Sequence, residues 1–124
     1  MEATKFNFED LKVYQKSLEF VDSVYNVTNS FPKEEKFGLT SQFVRAATSI
    51  SLNIAEGSGN SDAQFNRYLQ MSLDSVRECV VCSTIATRQK YVTEEQNDDF
   101  RKKLVELSKM ISSLQKYLKN KTKA

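Results

Sequence analysis

FRKKLVELSKMISSLQKYL, residues 100–118, carries apolar side chains at steps of alternately four and three residues. A mean period of 3.5 residues is typical of a helix whose apolar seam packs against other helices. The stretch therefore predicts one long amphipathic helix that contributes a row to a helical core. The row comprises Phe100, Leu104, Leu107, Ile111, Leu114 and Leu118.

Three further helices are indicated upstream by the same spacing and by the residues that interrupt it. Pro32 disfavours helical geometry at the residue before it, and Gly57 is the kind of residue that commonly follows a last helical turn. Ser61 with Gln64, and Thr93 with Gln96, match the capping box that begins a helix. The predicted helices cover about residues 10–30, 33–57, 61–91 and 93–119.

The length and the short connections favour a single all-α domain over residues 1–124. A chain of this size holds one core, and short loops make successive helices antiparallel. We therefore predict an up-down-up-down four-helix bundle. No apolar stretch is long enough to cross a bilayer, and the N-terminus lacks a signal pattern, so we expect a cytoplasmic protein with no membrane partner.

Catalytic chemistry finds little support in the residue inventory. The chain has no histidine, which removes Ser-His and Cys-His catalysis and histidine-containing metal sites. Cys79 and Cys82 form a Cys-x-x-Cys pattern, but it lies within a helix and lacks two further zinc ligands, so buried core thiols are the favoured interpretation. We expect no enzyme, cofactor or metal. The one enzymatic alternative is a nuclease that uses carboxylates and a divalent metal.

The first helix has more apolar surface than one bundle seam requires. Besides the row that runs from Leu11 through Leu18 to Tyr25, a second apolar row lies next to it. Because surplus apolar surface marks an interaction site, we expect the second row to form a subunit contact through Phe20, Val24 and Val27.

Positive charge is concentrated at the C-terminal end of the sequence. Residues 1–99 hold ten basic and fifteen acidic residues, a net of −5, whereas residues 100–124 hold eight basic residues against Glu106 alone. Lysines at seven-residue spacing stack along one side of helix four and could follow a phosphate backbone, although a solvated bundle face would look the same. The candidate nucleic-acid-binding residues are Arg101, Lys102, Lys103, Lys109, Lys116, Lys119, Lys121 and Lys123.

Residues 31–59, FPKEEKFGLTSQFVRAATSISLNIAEGSG, resemble the four-helix-bundle family of 23S ribosomal RNA intervening-sequence proteins, and the similarity extends from Phe8 through helix four. The resemblance implies a homo-oligomeric ring, a pentamer. Relatives of that family include accessory proteins of diversity-generating retroelements, which implies a reverse transcriptase as a protein partner and RNA or DNA as a ligand. The family name records where some of its genes lie and does not define a reaction.

Within the same segment, Arg45, Asn53 and Glu56 lie at steps of eight and three on helix two and predict a polar patch beside its apolar face. The patch could set the register between subunits or bind a partner. The alternative is structural, with small and amide side chains serving helix packing. Two functions therefore stay open: a non-enzymatic, ring-forming scaffold that binds nucleic acid through helix four, or a protein-interaction adaptor without nucleic-acid binding.

Overall fold

Four helices in sequence order form the molecule, which a computed structural model describes for residues 4–123, with the backbone alone for residues 122 and 123. The predicted all-α, up-down-up-down four-helix bundle is confirmed. Each helix contacts its neighbours in sequence, and the last helix returns to the first. The helices are α1 (Lys12–Thr28), α2 (Leu39–Ser58), α3 (Asp62–Arg88) and α4 (Glu94–Lys123).

An aromatic cluster joins three of these helices within the core. Phe20 of α1 and Phe43 of α2 both meet Phe100 of α4 edge to face, with ring centroids 5.8 and 5.6 Å apart. All three rings are buried, and this geometry favours aromatic pairs beyond their buried area. The seam predicted for α4 is thereby confirmed as its core row, with Leu114 only partly buried.

The most extensive helix contact joins α2 to α3. A row of small residues on α3 makes the close approach possible, and the Ser72 hydroxyl donates to the backbone oxygen of Ile50 on α2 at 3.0 Å. Gly57 lies inside α2 rather than after it, and its φ angle is not positive, so the prediction that it ends the helix is wrong. A Cβ atom at Gly57 would lie 2.5 Å from the Cβ of Tyr68. Gly57 is therefore a contact point between helices.

The seams that involve α1 are looser. One buried hydrogen bond, between the hydroxyls of Ser17 and Ser51 at 2.8 Å, ties α1 to α2. Of the four neighbouring helix pairs, α1 and α4 make the least contact. The bundle is thus closed tightly at α2 and α3 and loosely at α1 and α4.

The start of α2 differs from the prediction, which placed it at residue 33. A 3₁₀ turn over Lys33–Glu35 follows Pro32, and α2 begins only at Leu39, after Gly38. The Glu35 carboxylate accepts a hydrogen bond from the Leu39 amide at 3.2 Å and another from the Tyr91 hydroxyl at 3.0 Å. One carboxylate thus caps α2 and fastens it to the α3–α4 connection.

The remaining boundaries shift by one to four residues. At the N-terminal end, a 3₁₀ turn over Asn7–Asp10 and an extended Leu11 delay α1 to Lys12. Helix α3 ends three residues earlier than predicted because Lys90 adopts a left-handed φ of 66°. The amides of Lys90 and Tyr91 donate to the carbonyls of Thr87 and Ala86, which is the Schellman arrangement that usually contains glycine.

Both predicted helix starts are confirmed by their hydrogen bonds. Thr93 and Gln96 form the complete reciprocal pair, with distances of 2.9 and 3.0 Å. Ser61 accepts from the Gln64 amide at 3.3 Å, which is half of the same motif. These caps set the two short turns that reverse the chain.

Replacing Gly57 with alanine tests the close approach of α2 and α3. Helix propensity alone would make Gly57→Ala stabilising by about 0.5–1 kcal/mol. The short distance to the Tyr68 Cβ forces the helices apart instead, and overpacking of this kind costs about 1–3 kcal/mol. We expect a net loss of stability in urea-induced unfolding.

Gly59→Ala is the matched control, because a Cβ there meets only the Glu56 carbonyl oxygen, at 3.9 Å. Its φ of −85° suits any residue, so this variant should be as stable as the parent or slightly more stable. A Gly57→Ala protein that matched the parent would show that α2 and α3 can separate without cost.

Candidate nucleic-acid interface

The lysine row predicted on helix four lies on the outer surface of α4. Lys102, Lys109 and Lys116 are exposed and follow one another at intervals of about 10.5 Å, the rise of seven helical residues. Lys123, the fourth member, has its side chain outside the described residues. The predicted row therefore exists as a surface feature, but its members differ in their surroundings.

The N-terminal part of the row is matched by acidic residues one helical turn earlier. Lys102 pairs with Asp98, and Lys103 pairs with Asp99, both at 3.1 Å. An acid four residues before a lysine is the favourable orientation on a helix. Exposed pairs contribute little stability, but they cancel the charge locally, so this part of α4 presents little net positive field.

Two other candidates are held by neighbouring helices. Arg101 donates to the Thr84 hydroxyl of α3 at 2.7 Å. Lys121 lies 3.6 Å from the Asp62 carboxylate at the start of α3. Lys119 is exposed on the same stretch of α4. Both described contacts connect α4 to α3, which indicates a bundle-fastening role for Arg101 and Lys121.

Lys109 and Lys116 stand apart from the rest. Both are exposed, and neither forms an ion pair with any side chain in the described part of the chain. The sequence contains no acidic residue after Glu106. Lys12 of α1 lies across from Lys109, since the two line the same surface hollow. The C-terminal half of α4 is therefore the positively charged part of this surface.

The polar patch predicted on α2 is not drawn together into a site. Arg45 and Glu56 are exposed and form no ion pair among the described side chains, and eleven residues of helix separate them by about 16 Å. The Asn53 amide donates to the Ser49 carbonyl of its own helix at 2.8 Å. Leu52, which is 63% exposed, lies between them along the helix. The outward face of α2 is thus mixed rather than polar.

The subunit contact predicted through Phe20, Val24 and Val27 needs correction. All three side chains are buried within the chain's own core. The surplus row on α1 is the other one, where Leu18 is 40% and Tyr25 54% exposed. Both rows have helical spacing, so periodicity could not decide which one faces the bundle axis.

Cys79 and Cys82 are free, buried thiols on α3, as predicted. Desolvation is the main cause that raises the pKa of both groups, with a further contribution from the Glu78 carboxylate. The pKa of Cys82 rises to about 11, and the pKa of Cys79 rises further, helped by Cys82. Since the thiolate is the form that reacts, burial and the raised pKa make both cysteines poor nucleophiles at neutral pH.

Acidic side chains of the described residues do not assemble with cysteines into a group of three or more that could hold a metal ion. Glu94 and Glu95 lie in the first turn of α4, where negative charge complements the helix macrodipole. Glu35 is engaged in capping α2 and in its bond with Tyr91, and that hydrogen bond is the main cause that raises the pKa of Tyr91. In the part of the chain that the structure describes, no helix is long and apolar enough to cross a membrane.

One surface feature escaped the sequence analysis. The seam between α1 and α4 carries three hollows, of about 810, 410 and 200 Å³. The periodic rows of α1 and α4 predict that these helices pack, but not how closely. The signal that could have indicated the gap is the run of polar residues beside the seam, such as Ser23, Asn26 and Ser113.

Comparison with known proteins gives a matching family model and a solved structure of similar fold. The family model described as 23S rRNA-intervening sequence protein matches residues 9–113. A crystal structure from Bacteroides thetaiotaomicron, of a protein with unknown function from the S23 ribosomal protein family, superposes with a TM-score of 0.77. It is 29% identical to this chain, and the match covers 84% of this chain and 98% of the other. No curated protein matches the sequence.

Alkylation of the two thiols tests their assignment to the core. With a pKa of about 11 for Cys82, only about one thiol in a thousand is ionised at pH 8. We expect intact-mass spectrometry to find no adduct after iodoacetamide treatment of the folded protein, and two adducts after treatment in denaturant. Rapid modification of the native protein would contradict the burial of both side chains.

Proposed function

The chain belongs to the family of 23S rRNA-intervening sequence proteins, and we propose that it is a non-enzymatic scaffold that binds the phosphate backbone of RNA or DNA. The binding surface is the C-terminal half of α4. In this proposal the chain acts as a subunit of a ring, a pentamer, so that the same surface is repeated around the assembly. Repetition turns a weak contact into useful avidity.

The observation that carries the proposal is the contrast along the lysine row. Lys102 and Lys103 are paired with Asp98 and Asp99, whereas Lys109 and Lys116 form no ion pair among the described side chains. Only a lysine whose charge is not already compensated gains fully from meeting a phosphate and releasing its counterions. Of the eight candidate residues, the proposal therefore takes Lys109 and Lys116 as the centre of the binding surface.

The chemistry of this surface favours binding without sequence preference. Lysine is a compact point charge on a flexible stem, suited to phosphates but not to reading bases through paired hydrogen bonds. The exposed side chains around it include few aromatic rings for base stacking, with Tyr117 next to Lys116 as the nearest in sequence. The proposed ligand is therefore the shape and charge of a nucleic-acid backbone.

Self-association is supported by the apolar surface that the bundle leaves uncovered. Leu18 and Tyr25 on α1 are exposed, as is Leu52 on α2. Apolar side chains in such positions are common at contacts between subunits. A ring further requires two different contact patches on each subunit, and α3 offers a second one through Met71, Val81 and Ile85.

Binding to a structured RNA hairpin at several salt concentrations tests the proposed surface. We expect affinity to fall steeply between about 50 and 200 mM salt because binding displaces counterions. The double variant Lys109→Gln/Lys116→Gln should lower the slope of log affinity against log salt by about 2 for each subunit in contact. Fluorescence anisotropy with labelled RNA provides the measurement.

Lys102→Gln/Lys103→Gln is the matched control, since it removes the same net charge from lysines that are already paired. Its salt slope should change clearly less. Equal effects of the two double variants would remove the basis for centring the site on Lys109 and Lys116. Absence of binding by the parent protein at low salt would overturn the proposal itself.

The ring is tested separately by light scattering during size-exclusion chromatography. We expect a mass about five times that of the 14.2 kDa chain. The mass should stay constant on dilution to micromolar concentration, because an interface of apolar side chains dissociates slowly. A monomer at that concentration would exclude the assembly, while leaving nucleic-acid binding by the single chain to be judged on its own data.

A further inference from the structure

Three surface hollows of the molecule lie on one seam, between α1 and α4. This is also the pair of neighbouring helices that makes the least contact. In a bundle closed on every side, the apolar side chains of all four seams meet one another. Here one seam stays partly open, and we call this feature the α1–α4 groove.

The floor of the α1–α4 groove repeats every seven residues on both helices. The hollows are numbered here in the direction of α1. Val13 and Leu114 line the first, of about 410 Å³, and Phe20 and Leu107 line the second, of about 200 Å³. Val27 and Phe100 line the third, of about 810 Å³. Seven residues of helix rise about 10.5 Å, so the three hollows together extend about 21 Å. An added helix with apolar residues at positions i, i+7 and i+14 would place one side chain over each hollow.

The first hollow has the most apolar lining of the three and is flanked by two lysines. Four of its seven lining residues are apolar, namely Leu11, Val13, Met110 and Leu114, while Lys12 and Lys109 stand on opposite sides of it. No carboxylate lines this hollow. In contrast, the third hollow is lined by Glu95 as well as by Asp98 and Asp99, and only the two aspartates are matched by Lys102 and Lys103. The groove is therefore basic at one end and slightly acidic at the other.

Polar contacts across the middle of the groove are few and exposed. The Lys103 ammonium donates to the Ser23 hydroxyl at 3.0 Å, and Lys16 lies 3.7 Å from the Glu106 carboxylate. Both side chains of the Lys16–Glu106 pair are about half exposed, and such pairs contribute little. They can swing outward at small cost, which would join the three hollows into one continuous groove.

We propose that the α1–α4 groove is a docking site for an amphipathic helix of a partner protein. That helix carries three apolar side chains at seven-residue spacing and carboxylates at the end that lies over Lys12 and Lys109. The charge of the first hollow requires the acidic end, and the repeat of the floor requires the spacing. Carboxylates also stabilise the first turn of a helix, so the acidic end is the N-terminal end of the partner helix.

A designed peptide can represent this partner. Its leucines occupy positions i, i+7 and i+14, glutamates occupy the first two turns, and the remaining outer positions are uncharged. We expect it to bind the full-length protein, and a second peptide of the same composition, with the leucines moved off one face, to bind at least about tenfold more weakly. Fluorescence anisotropy measures both.

Two serines on neighbouring positions of α4 provide the protein variants. Ser113 lines the first hollow, so Ser113→Phe fills the hollow from an exposed position and should weaken peptide binding about tenfold. Ser112 is also exposed but does not line the groove, and Ser112→Phe should bind the peptide like the parent. Circular dichroism checks that both variants keep the helical content of the parent.

Several outcomes would overturn the proposal. If the first peptide fails to bind, or if both peptides bind equally well, the groove does not recognise a helix with apolar residues at seven-residue spacing. Equal effects of Ser113→Phe and Ser112→Phe place the contact outside the groove. A change in the mass of the assembly on Ser113→Phe shows that a second copy of this chain occupies the groove.

Discussion

The close approach of α2 and α3 is the contact on which the rest of the bundle depends. It requires a residue without a side chain at Gly57, where a Cβ would meet the Cβ of Tyr68 at 2.5 Å. The small residues Ser72, Cys79 and Ala86 are buried along α3, and large side chains from other helices can then fill the core beside this contact. Because packing density must be high everywhere in a core, closeness on one side determines how much space the other helices share.

Tight packing on one side is accompanied by an open seam on the opposite one. The large rings of Phe20, Phe43 and Phe100 fill the centre of the core beside this contact. Helix α1 therefore rests on aromatic rings on one side and on the Ser17–Ser51 hydrogen bond on the other, and its contact with α4 is slight. The same asymmetry that completes the core produces the α1–α4 groove, so a structural constraint and a candidate partner site have one origin.

Sequence patterns predicted the number, type and order of the helices because a 3.5-residue period and two capping boxes are local features. The choice between the two apolar rows of α1 was not local. Phe20 and Leu18 both belong to rows of helical spacing, and only the position of the other three helices decides that Phe20 is buried and Leu18 exposed. The same reason explains Gly57: its sequence position near a helix end suggested a cap, whereas its role comes from Tyr68 on the next helix.

The charge pairing within the lysine row is present in the sequence, but the seven-residue spacing of the lysines alone does not indicate it. Asp98 and Asp99 precede Lys102 and Lys103 by four residues, so the pairing could have been read directly from the spacing. The helix macrodipole explains lysines in the last turn of α4, but its effect is confined to that turn. Lys116 lies seven residues before the end of α4 and Lys109 fourteen, so neither capping nor pairing with a described carboxylate accounts for them. The uncompensated charge at these two positions favours an anionic ligand, which is the physical basis for proposing a nucleic-acid surface there.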